Sequence, residues 1–179
     1  LDKAVSANPV GTIAKTTADA TGAVLERPRV SGKFLFVGED KFWVRGVTYG
    51  TFRPDESGEN YPPRDVVERD FKAISDAGLN TLRLYTVPPR WLLDLAAAHG
   101  LRVMIGLPWE QHVAFLDDNG RATDIINRVR QSIRQYAGHP AVICYAIGNE
   151  IPAPVVRWHG KRQVEKFLNR LCDVVRKED

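Results

Sequence analysis

Short apolar runs and amphipathic helical segments alternate along most of the chain, and this alternation restricts the possible folds more than any other feature. The apolar runs cover residues 46–49, 79–85, 101–107 and 141–147. Apolar residues at helical spacing predict helices over residues 65–77, 91–98 and 123–137, and a final helix containing residues 164–175. A glycine ends each of the first three helices, as is typical of the C′ position: Gly78, Gly100 and Gly138.

Strands that alternate with helices predict a parallel sheet with right-handed crossovers. A closed barrel and an open doubly wound sheet both have this pattern. No G-x-G-x-x-G or P-loop sequence opens a helix, which disfavours the nucleotide-binding sheets. We therefore predict an α/β fold of the (β/α)8 TIM-barrel type. Because a complete barrel takes about 250 residues, residues 41–179 are expected to form only its first four βα units.

A β-hairpin is expected before the first barrel strand, because residues 34–37 and 42–44 are apolar and flank the turn residues Gly38-Glu39-Asp40. Secondary structure is predicted to begin at Gly32. Residues 1–32 are rich in Ala, Thr, Ser, Gly and Pro and have no regular period. The predicted organisation is thus a flexible arm or linker at 1–32 and a half-barrel domain at 33–179.

Composition and charge are those of a globular protein and exclude several classes of function. Apolar residues make up 44% and charged residues 26% of the chain, and no run has the roughly 18 apolar residues of a membrane span. The net charge is +3, but basic and acidic residues are interspersed, so no nucleic-acid interface is predicted. The histidines lie on separate segments, and Cys144 and Cys172 have no C-x-x-C spacing. Neither a metal site, nor a cofactor, nor a disulfide is therefore expected.

The fourth apolar run leads directly to Asn149 and Glu150, which we interpret as the functional centre. In parallel α/β folds, ligands bind at the carboxyl ends of the strands. A carboxylate at that position suits acid–base chemistry. The alternatives are a surface carboxylate for Glu150 and a turn residue for Asn149.

Three segments resemble the clan of retaining (β/α)8 glycoside hydrolases that contains β-galactosidases, β-mannosidases and endoglucanases. They are FWVRGVTY at 42–49, NTLRL at 80–84 and HPAVICYAIGNE at 139–150. The last is the most specific, because it combines H-P, an apolar strand and G-N-E in the fourth βα unit. The hairpin that leads into the first strand is also similar to glycosidase-type domains attached to glycosyltransferases.

The resemblance implies a role for three residues. Glu150 would be the general acid/base, Asn149 would hydrogen-bond the sugar 2-hydroxyl, and Arg83 would lie beside the nucleophile and keep it ionised. Retaining cleavage requires a second carboxylate about 5–5.5 Å from the first. The family places this nucleophile at the end of strand 7, and Glu110, after the third strand, is not expected to replace it. The chain alone is therefore expected to be inactive.

Four further residues at predicted strand ends are candidates for sugar contact. Aromatic rings stack on sugar faces and histidine bonds hydroxyls, but packing in the core or in a loop is the alternative for each. These residues are Tyr49, Tyr85, Trp109 and His112.

Taken together, the residues and the resemblance predict a glycoside hydrolase or transglycosidase that acts on β-linked glycans by a retaining mechanism. Its ligand would be an oligo- or polysaccharide. The barrel would be completed by the rest of a parent polypeptide or by a second copy, because an open half-barrel exposes two strand edges. A noncatalytic carbohydrate-binding module and a self-assembling half-barrel are the alternatives.

Overall fold

The computed structural model describes residues 26–179, which begin with a small antiparallel sheet. Its strands, in the order β1-β2-β3, are β1 Arg29–Ser31, β2 Phe34–Val37 and β3 Asp40–Phe42. The expected hairpin corresponds to β2 and β3, where Leu35 pairs with Phe42. Secondary structure begins at β1, before the predicted start at Gly32, because β1 hydrogen-bonds to β2. The predicted arm lies mostly in residues 1–25, outside the described residues.

The second sheet has four parallel strands in the order β4-β5-β6-β7, as the alternating pattern predicted. The strands are β4 Gly46–Thr48, β5 Thr81–Leu84, β6 Arg102–Gly106 and β7 Val142–Ala146. The helices are α1 Arg64–Asp76, α2 Arg90–Ala98, α3 Asn119–Tyr136, α4 Ala153–His159 and α5 Lys161–Glu178. This α/β arrangement of parallel strands and helices confirms a partial (β/α)8 barrel preceded by an antiparallel hairpin.

The two faces of the parallel sheet have different environments. Alternate residues of a strand point to opposite faces, and Leu82, Leu84, Val103 and Ile105 lie fully buried in a core shared with the helices. Arg83, by contrast, is half-buried, and its register partner Met104 on β6 is half-buried as well. The face that would be the barrel interior is therefore only partly covered.

Two helices differ from the sequence prediction. Helix α3 begins at Asn119, before the expected start at Thr123, because the Asp118 side chain accepts a hydrogen bond from the Gly120 N–H at 2.7 Å and caps the helix. Helix α4 occupies part of the loop predicted around Pro152 and Pro154. Proline is tolerated in the first turn of a helix, so these prolines start α4 instead of preventing it.

The two cysteines are free and half-buried in the structure. Burial raises the pKa of the Cys144 thiol above its usual value. Within residues 26–179, no helix combines the length and hydropathy that a membrane span requires. The same residues contain no group of three or more His, Cys, Asp or Glu side chains arranged to hold a metal ion.

Candidate active site

Arg83 and Asn149 meet at the carboxyl end of the parallel sheet. Arg83 lies on β5 and Asn149 follows β7, and the Arg83 Nη2 donates to Asn149 Oδ1 at 2.7 Å. The Arg83 guanidinium also lies 4.5 Å from the centre of the Tyr85 ring, within the range of a cation–π contact. The fold thus brings together three of the residues that the sequence singled out.

Gln111 fixes the backbone at Asn149. The Asn149 N–H donates to Gln111 Oε1 at 2.8 Å, and the Gln111 residue is only 8% exposed. Sequence analysis did not identify Gln111, because it lies in a segment without hydrophobic periodicity. The one available indication was its position in the loop after β6, next to Trp109.

Trp109 connects the loop after β6 to the end of β7. Its indole N–H donates to the Ile147 carbonyl at 2.7 Å, and its ring packs edge-on against Phe115 and Phe167, with centroid distances of 4.9 and 5.7 Å. The residue is 7% exposed. Most of the Trp109 surface therefore serves packing, and only one side of the residue borders the cavity described next.

A cavity of about 170 Å³ opens between these strand ends. Five of the predicted residues line it: Arg83, Tyr85, Trp109, His112 and Asn149. Gly106, at the end of β6, also lines it, and a Cβ at this position would lie 2.7 Å from the carbonyl oxygens of both Leu84 and Tyr85. The wall therefore includes backbone that leaves no room for a side chain at Gly106.

Glu150 lies at the rim of this site. It directly follows Asn149, is exposed, and is not among the residues that line the cavity. Its side chain forms no hydrogen bond or ion pair with residues 26–179. Its φ is 53°, and within the described part of the chain it alone among non-glycine residues has a positive φ. The backbone therefore turns sharply at this residue.

Tyr49 lies in the core and not at the cavity. It is 8% exposed, its hydroxyl donates to Asp70 Oδ2 at 2.9 Å, and its ring contacts Phe71 with a centroid distance of 5.2 Å. Burial, reinforced by the hydrogen bond to Asp70, raises the pKa of Tyr49 well above its usual value. Tyr49 therefore packs in the core of the described residues.

Glu110 forms a salt bridge on the outer surface. Its Oε2 lies 2.5 Å from Arg128 Nη2 on α3, and this hydrogen bond lowers the pKa of Glu110 below its usual value. Glu110 lines a different surface depression together with α3 residues. Glu110 is not among the residues that line the cavity at Arg83 and Asn149.

Solved structures that superimpose on this chain include two glycosidases. A β-glucuronidase from Bacteroides uniformis superimposes with a TM-score of 0.65 at 22% identity, covering 86% of this chain and 19% of that one. A GH2 β-galacturonidase from Eisenbergiella tayi gives a TM-score of 0.68 at 17% identity, covering 86% of this chain and 26% of that one. The chain therefore has the fold of part of a (β/α)8 glycoside hydrolase, which confirms the resemblance predicted from the sequence.

A third solved structure and two sequence relatives are also similar to this chain. ScGas2 gives a TM-score of 0.57 at 21% identity, covering 71% of this chain and 32% of that one. The 1,3-β-glucanosyltransferase PGA4 of Candida albicans is 26% identical over 118 residues, or 63% of this chain and 26% of PGA4. The 1,3-β-glucanosyltransferase gel1 of Aspergillus fumigatus is 33% identical over 58 residues, or 32% of this chain and 13% of gel1. No protein-family model matches the chain.

The chain thus spans about a quarter or less of the curated relatives it matches. It shares the fold of part of a (β/α)8 barrel with solved glycosidases, and its sequence relatives carry the name of 1,3-β-glucanosyltransferases.

Proposed function

We propose that this chain supplies the acid/base half of a retaining glycosidase or transglycosidase that acts on β-linked glycans. The observation that carries the proposal is the 2.7 Å hydrogen bond between Arg83 and Asn149, which joins the ends of two barrel strands immediately beside Glu150. Retaining cleavage requires a carboxyl group that acts as acid and base, and it benefits from a hydrogen bond to the sugar 2-hydroxyl, which the Asn149 amide could form.

The Arg83 bond determines which group Asn149 presents to a ligand. A guanidinium can only donate, so the atom that faces Arg83 is the Asn149 carbonyl oxygen. The amide nitrogen then remains available to donate to a sugar hydroxyl. A hydrogen bond to the 2-hydroxyl becomes stronger at the transition state. Because it stabilises the transition state more than the bound substrate, it accelerates the reaction.

Glu150 acts twice in the proposed mechanism. Its protonated form donates to the departing glycosidic oxygen while a nucleophilic carboxylate attacks the anomeric carbon and forms a glycosyl-enzyme intermediate. The Glu150 carboxylate then removes a proton from water or from an acceptor hydroxyl, which attacks the intermediate. Water gives hydrolysis and a sugar hydroxyl gives transglycosylation. The Arg83 cation favours the ionised form of the nucleophile.

The nucleophile is proposed to lie outside this chain, in strands that complete the barrel. Within residues 26–179, β4 pairs only with β5 and β7 only with β6, so each has one edge free for a further strand. We propose that the rest of a parent polypeptide fills these edges. A second copy of the chain is the alternative, and sedimentation over a range of concentrations distinguishes the two, because only self-assembly gives a dimer of the chain alone.

The names of the curated relatives suggest the first glycan to test. Both PGA4 and gel1 are 1,3-β-glucanosyltransferases. We propose β-1,3-gluco-oligosaccharides as donor and acceptor, and aryl β-glucosides as reporters of the first chemical step. The chain alone is expected to show no turnover on any of them.

The decisive variant is Glu150→Gln in the polypeptide that contains the complete barrel. Loss of the proton donor is expected to lower the rate on a poor leaving group by about 10²–10⁴-fold. An activated aryl leaving group needs less protonation, so its cleavage should fall much less, and azide should restore turnover as a β-glycosyl azide because azide needs no general base. Glu110→Gln, an exposed carboxylate after the preceding strand, is the matched control and should retain its rate.

Two results would contradict the assignment. Glu150→Gln activity within a few-fold of the wild type on the poor leaving group would exclude Glu150 as the acid. Glycan binding without turnover by the complete, unaltered barrel would instead favour the noncatalytic carbohydrate-binding module.

A further inference from the structure

A second, larger cavity of about 460 Å³ lies where the start of α3 meets α4 and α5. It shares no lining residue with the cavity at Arg83 and Asn149. Its floor contains the apolar residues Leu116 and Phe167, and its walls are polar or aromatic. The wall residues used below are Asp117, Asn119, Trp158, Gln163, Lys166 and Arg170.

Trp158 presents a fixed aromatic face at the edge of this cavity. The residue is 72% exposed, but its indole N–H donates to both oxygens of Asp117, at 3.1 and 2.9 Å. These bonds hold the ring in one orientation while leaving most of its surface in solvent. A tryptophan that is both exposed and pre-oriented is suited to stack on a flat apolar surface, such as the face of a pyranose ring, at little cost in conformational entropy.

His159 holds Asp117 from the other side. Its Nδ1 lies 3.4 Å from Asp117 Oδ1, and its Nε2 accepts a hydrogen bond from the Leu116 N–H at 3.4 Å. Because Nε2 accepts, Nδ1 is the nitrogen that carries the proton, and it faces Asp117. The Asp117 carboxylate is therefore already engaged by two neighbouring side chains.

Two cations face the same cavity. Lys166 and Arg170 are one helical turn apart on α5, so their side chains project from the same face of the helix. Both are exposed, and within residues 26–179 neither forms an ion pair, whereas Arg130 and Arg134 both pair with Glu178. The cavity wall thus carries two cations, which form no pair with its one carboxylate, Asp117, and its net charge is positive.

We propose that this cavity binds an acidic oligosaccharide. One sugar ring stacks on Trp158, the amides of Asn119 and Gln163 bond its hydroxyls, and Lys166 and Arg170 bind the carboxylates of uronic acid residues. The proposal does not depend on the catalytic role of Glu150. It depends only on the charge and the aromatic face of this cavity, which determine the class of ligand.

A pair of trisaccharides with the same backbone tests the proposal directly. The 179-residue chain is titrated with β-1,4-linked triglucuronate and with cellotriose, which differ only at C6, and binding is followed by calorimetry and tryptophan fluorescence. Triglucuronate is expected to bind about tenfold more tightly, because two cations each add a modest attraction. This preference should decrease as salt is added.

Variants separate stacking from charge recognition. Trp158→Ala should weaken binding of both trisaccharides by about tenfold, whereas Trp158→Phe, which keeps an aromatic face, should weaken it less. The double variant Lys166→Gln/Arg170→Gln should weaken triglucuronate by about tenfold and change cellotriose by less than about twofold. Trp43→Ala, an exposed tryptophan after β3, and Arg176→Gln/Lys177→Gln at the far end of α5 are the matched controls and should leave both affinities unchanged.

Each other outcome would overturn the proposal. Equal affinity for the two trisaccharides would remove the charge argument, and binding that survives Trp158→Ala unchanged would remove the stacking argument. No binding of either trisaccharide, with a far-ultraviolet circular dichroism spectrum typical of a folded α/β protein, would show that this cavity is not a glycan site.

Discussion

The side-chain carbonyl of Gln111 accepts a 2.8 Å hydrogen bond from the backbone N–H of Asn149. A residue from the loop after β6 thereby fixes the turn that follows β7. The same turn carries the amide that bonds Arg83 and, one position later, the carboxylate of Glu150. The orientation of the candidate catalytic residues is thus set by a residue that is itself outside the proposed chemistry.

Gln111→Met is expected to destabilise the fold, because methionine has a similar length but cannot accept the Asn149 N–H. The free energy of unfolding should fall by about 1 kcal/mol, the net contribution of one such hydrogen bond. Urea denaturation of the chain measures this difference. Gln131→Met, on the exposed face of α3, is the matched control and should change stability by less than about 0.5 kcal/mol. Equal effects at both positions would show that the bond to Asn149 contributes nothing.

Gly106→Ala is expected to distort the sheet where β6 borders the cavity. The added Cβ would lie 2.7 Å from the Leu84 and Tyr85 carbonyl oxygens, so the β5 and β6 backbones must separate. Overpacking of this kind costs about 1–3 kcal/mol. At Gly148 the nearest atom to a Cβ is Gln111 Oε1 at 3.8 Å, an ordinary contact, so Gly148→Ala is a suitable comparison. Thermal unfolding should separate the two variants clearly, and a Gly106→Ala protein as stable as Gly148→Ala would be inconsistent with the close approach.

Tyr61 is expected to make stability depend on alkaline pH. Burial raises its pKa to about 12, although the hydrogen bond to Thr86 acts in the opposite direction. Because the folded pKa lies above the unfolded value of about 10, the stabilisation is complete below pH 10 and is lost as the pH rises towards 12. The stability difference between the wild type and Tyr61→Phe should therefore decrease over this interval. Val67→Ala is the control, because it destabilises the fold without removing a titrating group. Its free energy of unfolding should lie below that of the wild type by the same amount at every pH. A constant difference between Tyr61→Phe and the wild type from about pH 10 to 12 would exclude the effect of Tyr61.

Arg83→Lys is expected to impair catalysis in the complete barrel more than it impairs folding. Lysine keeps the charge but cannot reproduce the planar guanidinium that bonds Asn149 and stacks on Tyr85. Misplacement of the Asn149 amide by about 1 Å should lower kcat by about 10²-fold, with stability changed by no more than about 1 kcal/mol. Steady-state kinetics and denaturation on the same preparation test both parts. Arg128→Lys, which alters the exposed pair with Glu110, is the control and should leave kcat within twofold of the wild type. Full activity of Arg83→Lys would disprove the role of Arg83 in positioning Asn149.

The sequence predicted those parts of the fold and site that depend on periodicity and on position at a strand end. Asn149 was singled out because it follows an apolar strand, where ligands bind in parallel α/β folds, whereas Arg83, within a strand, was singled out by the resemblance. The hydrogen bond between the two was not predicted. Gln111 was missed because a buried amide in a loop depends on partners distant in sequence. The start of α3 was misplaced because Gly120 suggests a loop, whereas the Asp118 cap allows a helix. Helix α4 was not predicted because Pro152 and Pro154 suggest a loop, whereas proline is allowed in the first turn of a helix.

The left-handed backbone at Glu150 destabilises the fold at the same position where we propose that catalysis requires a carboxyl side chain. A side chain other than glycine costs about 1 kcal/mol at its φ of 53°, so Glu150→Gly should raise the free energy of unfolding by up to that amount while removing the carboxyl group that we propose as the proton donor. Glu110→Gly, at a residue outside the left-handed region, should lower it instead, and denaturation of both variants measures the contrast. Selection for heat resistance alone is consequently expected to favour glycine at position 150, which would increase stability and remove the proposed catalytic carboxyl group.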